Sequence, residues 1–147
     1  MMSTDIQTLK SLDLFAGLNF GELEQIAPLM HPMKVTEGEV LTRKGEIAST
    51  FFIILSGNFM LSFNEERSFT LHNKGNIIGL STVVSPFRYT ATAVALTDGL
   101  VLFMQGQEFL RLVQSNSALG DKIMRKINEI VLERMPYMTG TWEKRRY

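Results

Sequence analysis

The sequence predicts a mainly β domain with flanking α-helices. Three observations carry this. Between Met33 and Gln105, glycine-containing turn signals recur at short intervals, with strand-like apolar runs between them. Outside that stretch, apolar residues recur at helical spacing. The chain has 147 residues, 45% of them hydrophobic and 20% charged, which fits one globular domain able to bury a core without disulfide or metal staples.

The elements follow in order. Ile6, Leu9 and Leu12 share one face of a first helix. A second helix is expected from Asn19, which can cap it while Glu22 reaches back to complete a capping box. Leu23, Ile26, Ala27 and Met30 form its apolar stripe, Pro28 disturbs its last turn, and Pro32 argues against continuation beyond His31. The turn signals Glu37-Gly38, Lys44-Gly45, Ser56-Gly57, Lys74-Gly75 and Asp98-Gly99 then separate short strands. These are Val40 to Arg43, Phe51 to Leu55, Asn58 to Phe63, Ser68 to His72, Tyr89 to Leu96 and Leu100 to Met104. Phe51 to Leu55 is apolar on both faces, as a strand buried on both sides would be. Many short strands without long helices between them read as a sandwich, roll or barrel. After Gln105, Phe109, Leu110, Leu112 and Val113 fit a short helix. Leu119, Ile123, Ile127, Ile130 and Arg134, widened by Met124 and Val131, then fit an amphipathic helix of about 17 residues that Pro136 is expected to stop. The domain is expected over residues 1–135, with the roll at about 33–105 and the closing helices at about 107–135; residues 136–147 are expected to form a flexible tail.

Composition excludes several classes. Fifteen basic and fifteen acidic residues balance, which gives no electrostatic footprint for nucleic acid or an anionic membrane. Cysteine is absent, so disulfides and thiolate metal sites are excluded. The N-terminus lacks the pattern of a signal peptide, and the longest apolar run is far short of the ~20 residues that span a bilayer. A cytoplasmic protein is expected. His31 and His72 stand apart, with no second histidine at ligand spacing, so neither a cupin-type metal enzyme nor a Ser-His-Asp hydrolase is expected. Asp98 in its turn reads as structural.

Several segments in order resemble the cyclic-nucleotide-binding domain family. They are Leu14-Phe15-x-x-Leu18 with Glu22-Leu23-x-x-Ile26-Ala27, Glu37 to Leu41 with Lys44-Gly45-Glu46, Phe52 to Gly57, Gly75-x-x-Ile78-Gly79 followed by an arginine and Thr90 to Ala93, and the helices from Phe109 onward. The resemblance covers residues 9 to about 134. It implies a jelly-roll-like β-roll (a double-stranded β-helix) with N-terminal helices and a long C-terminal helix. It also implies a non-catalytic regulatory sensor, with no required cofactor and cyclic AMP or cyclic GMP as candidate ligands.

In that family a cassette inside the roll binds the cyclic phosphate. An arginine neutralises it, a glutamate accepts from the ribose, and a small residue permits close approach. The matching stretch here is Gly79 to Thr92, and Gly79, Leu80, Ser81, Thr82, Arg88, Tyr89 and Thr90 are the candidate ligand-binding residues. Leu80 stands at the glutamate position and Thr82 at the small one. Without a gap, Tyr89 falls on the arginine position; a one-residue deletion would restore Arg88 to it. A one-residue shift in a strand turns the side chain to the other face, so Arg88 is either a phosphate anchor or a solvated surface charge. Ser81, Thr82 and Thr90 read equally as ligand contacts or as turn and strand residues.

Two functions follow from the resemblance. One is a stand-alone sensor that binds a small anionic ligand and signals through its C-terminal helix. The other is a degenerate roll that has lost nucleotide binding and serves as a dimerisation or protein-interaction module. The C-terminal helix is expected to form a homodimer seam, or else to pack on its own roll. A further protein partner is open. The chain ends 11 residues past Pro136, so no direct DNA binding is expected.

Overall fold

The computed structural model describes residues 4–84 and 87–139. Helices α1 (Ile6–Lys10) and α2 (Phe20–Ile26) precede eight strands. These are β1 (His31–Val35), β2 (Val40–Thr42), β3 (Thr50–Ser56), β4 (Phe59–Ser62), β5 (Ser68–Leu71), β6 (Ile77–Ile78), β7 (Thr92–Ala95) and β8 (Gly99–Gln105). Helices α3 (Gly106–Ser115) and α4 (Ser117–Thr139) close the chain. The strands form two antiparallel sheets, ordered β1-β8-β3-β6 and β2-β7-β4-β5, as the mainly β reading with flanking helices requires. None of the described helices is long and apolar enough to cross a membrane.

The first sheet lies between the second sheet and the helices, and its strands β3, β6 and β8 are apolar on both faces for that reason. Phe51 and Ile53 of β3 join Leu102 and Met104 of β8 in a cluster with the helices, which contribute Leu9, Leu23, Ile26, Phe109, Leu119, Ile123 and Ile127. Phe52 and Ile54 point the other way, into a second cluster with Phe59, Leu61, Ala93 and Ala95. The two-residue strand β6 divides likewise, Ile77 toward the helices and Ile78 between the sheets. Alternation along a strand distributes the two sets.

The capping box forms as read. Glu22 N–H donates to Asn19 Oδ1 at 2.8 Å, and Asn19 N–H donates to Glu22 Oε1 at 3.0 Å. The Glu22 carboxylate also accepts from Lys122 Nζ at 2.9 Å, which ties α2 to α4. The backbone bond from Asn19, followed by Lys122, holds the Glu22 carboxyl below its ordinary range. A lowered carboxyl stabilises the fold above its unfolded pKa, and that stabilisation is lost as pH falls through the folded value. Acidification below the usual carboxylate range is therefore expected to loosen the α2 start and the α2–α4 tie together. Thermal unfolding followed against pH would show it, with a shallower acid fall in Glu22→Gln.

Four boundaries differ from expectation. The roll begins at His31, and Pro32 sits inside β1; β1 is an edge strand, where a missing N–H is tolerated. Strand β6 escapes the turn-to-turn reading because it has two residues. The Tyr89 to Leu96 run is strand only from Thr92. Upstream, Phe87 takes φ +64, and residues 87–89 bond instead to the turn at 45–48, with Tyr89 N–H donating to the Glu46 carbonyl and Ala48 N–H to that of Phe87. Pro136 does not stop α4, which runs to Thr139. So close to a helix end a proline costs one helical hydrogen bond, and α4 is exposed one turn earlier, where Leu132 is 66% accessible. Residues 140–147 of the expected tail lie outside the described residues.

Candidate functional site

A cavity of about 60 Å³ lies between the end of β6, the segment that follows it, and α4. Gly79, Leu80 and Ser81 line it, as do Tyr89 and Thr90 across from them. The roll contributes Thr42, Leu61 and Phe63, and α4 contributes Val131 and Arg134.

Local backbone chemistry builds the first wall. Gly79 has φ +88, the left-handed region that glycine enters without penalty. A Cβ there would lie 2.9 Å from the Thr50 carbonyl oxygen and 3.3 Å from Tyr89 Cε1, so this position also needs the missing side chain for space. A single 3-10 turn, Leu80–Thr82, follows. The amides of Thr82 and Val83 donate to the Gly79 and Leu80 carbonyls, at 3.0 Å each.

The register question resolves as tyrosine in and arginine out. Tyr89 is buried over Gly79. Its hydroxyl donates to the Thr50 carbonyl at 2.6 Å and accepts from the Thr50 amide at 3.1 Å, so both of its hydrogen-bonding roles are filled within the protein. Arg88 is exposed, and its Nη1 donates to the Gly45 carbonyl at 2.9 Å, outside the cavity. Tyr89→Phe removes both bonds and is expected to lower stability by about 0.5–1.5 kcal/mol in denaturant titration.

Thr82 also faces away from the cavity. Its hydroxyl donates to the Thr50 carbonyl at 3.1 Å, and its methyl presses on the start of α3, where a Cβ on Gly106 would lie 2.0 Å from it. The structure thus brings Gly79, Leu80, Ser81, Tyr89 and Thr90 to one cavity and leaves Thr82 and Arg88 outside it. Leu80, where the resemblance wants a glutamate, presents an apolar side chain that also belongs to the helix-side core.

Sequence reasoning missed the second wall. Arg134 donates to the Ile77 carbonyl, and its guanidinium carbon lies 6.0 Å from the centre of the Phe69 ring. Burial lowers its pKa to about 10, opposed by Glu133, so it stays protonated at neutral pH. The available signal was a cation recurring in register with Leu119, Ile123, Ile127 and Ile130, that is, on the buried stripe. Among the described residues, no three His, Cys, Asp or Glu come together as a metal site.

The family model described as cyclic nucleotide-binding domain matches residues 32–116. The cAMP-dependent protein kinase type II regulatory subunit of Drosophila melanogaster is 26% identical over 133 residues, which is 90% of this chain and 34% of that protein. Among solved structures, a Geobacter metallireducens protein described as cyclic nucleotide-binding gives a TM-score of 0.81 at 24% identity, covering 90% of this chain and 98% of its own. The regulatory subunit of a cAMP-independent protein kinase A from Trypanosoma brucei gives 0.75 at 18%, covering 95% of this chain and 49% of its own. At these identities the solved structures show a shared fold. This chain spans about a third or less of the curated relatives that it matches.

Proposed function

The chain belongs to the cyclic nucleotide-binding domain family, and on that premise we propose that it is a non-catalytic sensor whose cavity occupancy is read out as the position of α4. The ligand is a small anion, with cyclic AMP and cyclic GMP the first to be tried. One observation carries the reading: Val131 and Arg134 of α4 form part of the cavity wall. About 60 Å³ holds a few waters at most, whereas pockets for organic ligands measure several hundred Å³. A nucleotide therefore enters only if α4, or the turn facing it, moves aside. A ligand that favours the opened arrangement shifts the population toward it, and the shift equals its difference in affinity for the two.

Two tight contacts support transmission. Gly106 holds the start of α3 against Thr82 of the cassette turn. Gly120 holds α4 against α3, where a Cβ would lie 2.8 Å from the Val113 carbonyl oxygen. Neither pair can slide far without disturbing its neighbour, so movement at the turn and movement of the helices are linked.

Calorimetric titration with cyclic AMP and cyclic GMP tests the nucleotide version. Heat of binding at submillimolar ligand is expected; no heat and no thermal shift at millimolar ligand would exclude it.

A second reading, a degenerate roll acting through dimerisation or another protein partner, is favoured by the Tyr89–Thr50 pairing and by Leu80, which together remove both of the family's polar anchors. Leu132, 66% exposed on α4, would then lie in the contact. That reading predicts a dimer in sedimentation equilibrium that Leu132→Glu dissociates.

A further inference from the structure

The cavity holds one cation, and the cassette does not supply it. Among the described residues that line the cavity, Arg134 is the only basic side chain; Arg88 sits outside against Gly45. We propose that Arg134 is the anion-recognising residue of this cavity, and that the site takes an organic anion with an apolar body, its charged end directed at α4. The proposal rests on reading the cavity as a ligand site.

The partners that Arg134 has in the closed structure are neutral: the Ile77 carbonyl and the face of Phe69. Among the described residues, ion pairs form at Lys122–Glu22 and Lys126–Asp13, and none forms at Arg134. Glu133, its neighbour along the helix, is exposed and acts on it from the solvent side. A guanidinium withdrawn from water and held by a neutral carbonyl has more to gain from an anion than a solvated one does. Charge-assisted bonds are roughly twice as strong as neutral ones, and a planar fork can grip a carboxylate or phosphate at two points.

The remaining walls set the rest of the ligand. Leu61, Phe63, Leu80, Val84 and Ala91 are apolar. The Thr42 hydroxyl already donates to the Ala91 carbonyl, and the Tyr89 hydroxyl is committed to Thr50. Ser81 and Thr90 remain as minor polar contacts. A carboxylate or phosphate ester on an aromatic or aliphatic body matches this lining better than a small, fully hydrated ion does. The placement of Arg134 on α4 also gives the coupling a cause. On binding, the guanidinium exchanges the Ile77 carbonyl for the ligand, and the segment of α4 in the cavity wall changes partners with it.

The test uses the full chain with benzoate, phenyl phosphate and neutral benzamide, followed by amide NMR at Gly79 and Thr90. Benzoate or phenyl phosphate is expected to bind, and which of them binds more tightly separates a carboxylate ligand from a phosphate one. Benzamide is expected to bind about tenfold more weakly or worse, as loss of a charge-assisted contact implies. Arg134→Gln should weaken the anion by about tenfold or more, Arg134→Lys should retain part of the affinity, and Arg88→Ala should leave it unchanged. Unliganded unfolding of each variant checks that it folds; if Arg134→Gln does not, the lysine variant and the anion-to-amide ratio decide. Equal binding of benzoate and benzamide, full affinity in Arg134→Gln, loss in Arg88→Ala, or no anion binding at millimolar concentration would each overturn the proposal. The sensor reading fails separately, if an anion binds through Arg134 while amide exchange in α4 stays unchanged.

Discussion

Phe109→Ala is expected to lower the unfolding free energy by about 3–5 kcal/mol, the loss typical of a fully buried phenylalanine. Phe109 is fully buried and meets Phe51 of β3 edge-on, with ring centroids 5.4 Å apart and planes at 79°. It fastens α3 to the double-faced sheet in the cluster that also holds Leu119, Ile123 and Ile127 of α4. Truncation leaves a void walled by β-sheet on one side, and a sheet fixed by its ladders collapses poorly into it. Denaturant unfolding measures the loss directly. A change below about 1 kcal/mol would mean that α3 is not anchored through this ring.

Gly79→Ala is expected to damage the cavity wall in two ways at once. An L-residue in the left-handed region costs about 1–2 kcal/mol. The added Cβ would also lie 2.9 Å from the Thr50 carbonyl oxygen, a backbone atom of β3 that cannot rotate away. Gly38 supplies the control, since it has the same φ of +88 with nothing within 4 Å of the added carbon. Gly38→Ala should therefore show the conformational cost alone. The excess in Gly79→Ala measures the overlap with β3 and Tyr89, and it should be accompanied by shifted Tyr89 ring resonances. Equal losses at the two glycines would show that the cavity wall is not tightly packed.

Much of the frame is legible in the sequence because its signals are local. Asn19 and Glu22 are three residues apart and make their box without reference to the rest of the chain. The run from Phe51 to Leu55 announces a strand covered on both faces, and it has helices on one side and a second sheet on the other. Asp98 reads as a turn residue, and its carboxylate accepts from the Glu37 amide at 2.8 Å. What escapes the sequence depends on partners distant along the chain. Pro32 is permitted because β1 lies at a sheet edge, and edge position is a property of topology. Whether Arg88 or Tyr89 turns inward depends on residues 87–89 pairing with the turn at 45–48, where Phe87 leaves the strand conformation. The second wall of the cavity comes from α4, more than fifty residues beyond Gly79. Arg134 reads as one member of a helical stripe until the helix is seen lying across the cassette.

The proposed sensor requires one coupling, between occupancy of the cavity and the position of α4. Amide hydrogen exchange read by NMR during a ligand titration tests it most directly. The Gly79 amide shift reports occupancy, and exchange across residues 128–135 reports the helix. The two are predicted to change together, with one midpoint, as ligand displaces Val131 and Arg134 from the cavity wall. A Gly79 shift that saturates while exchange in α4 stays unchanged would contradict the account.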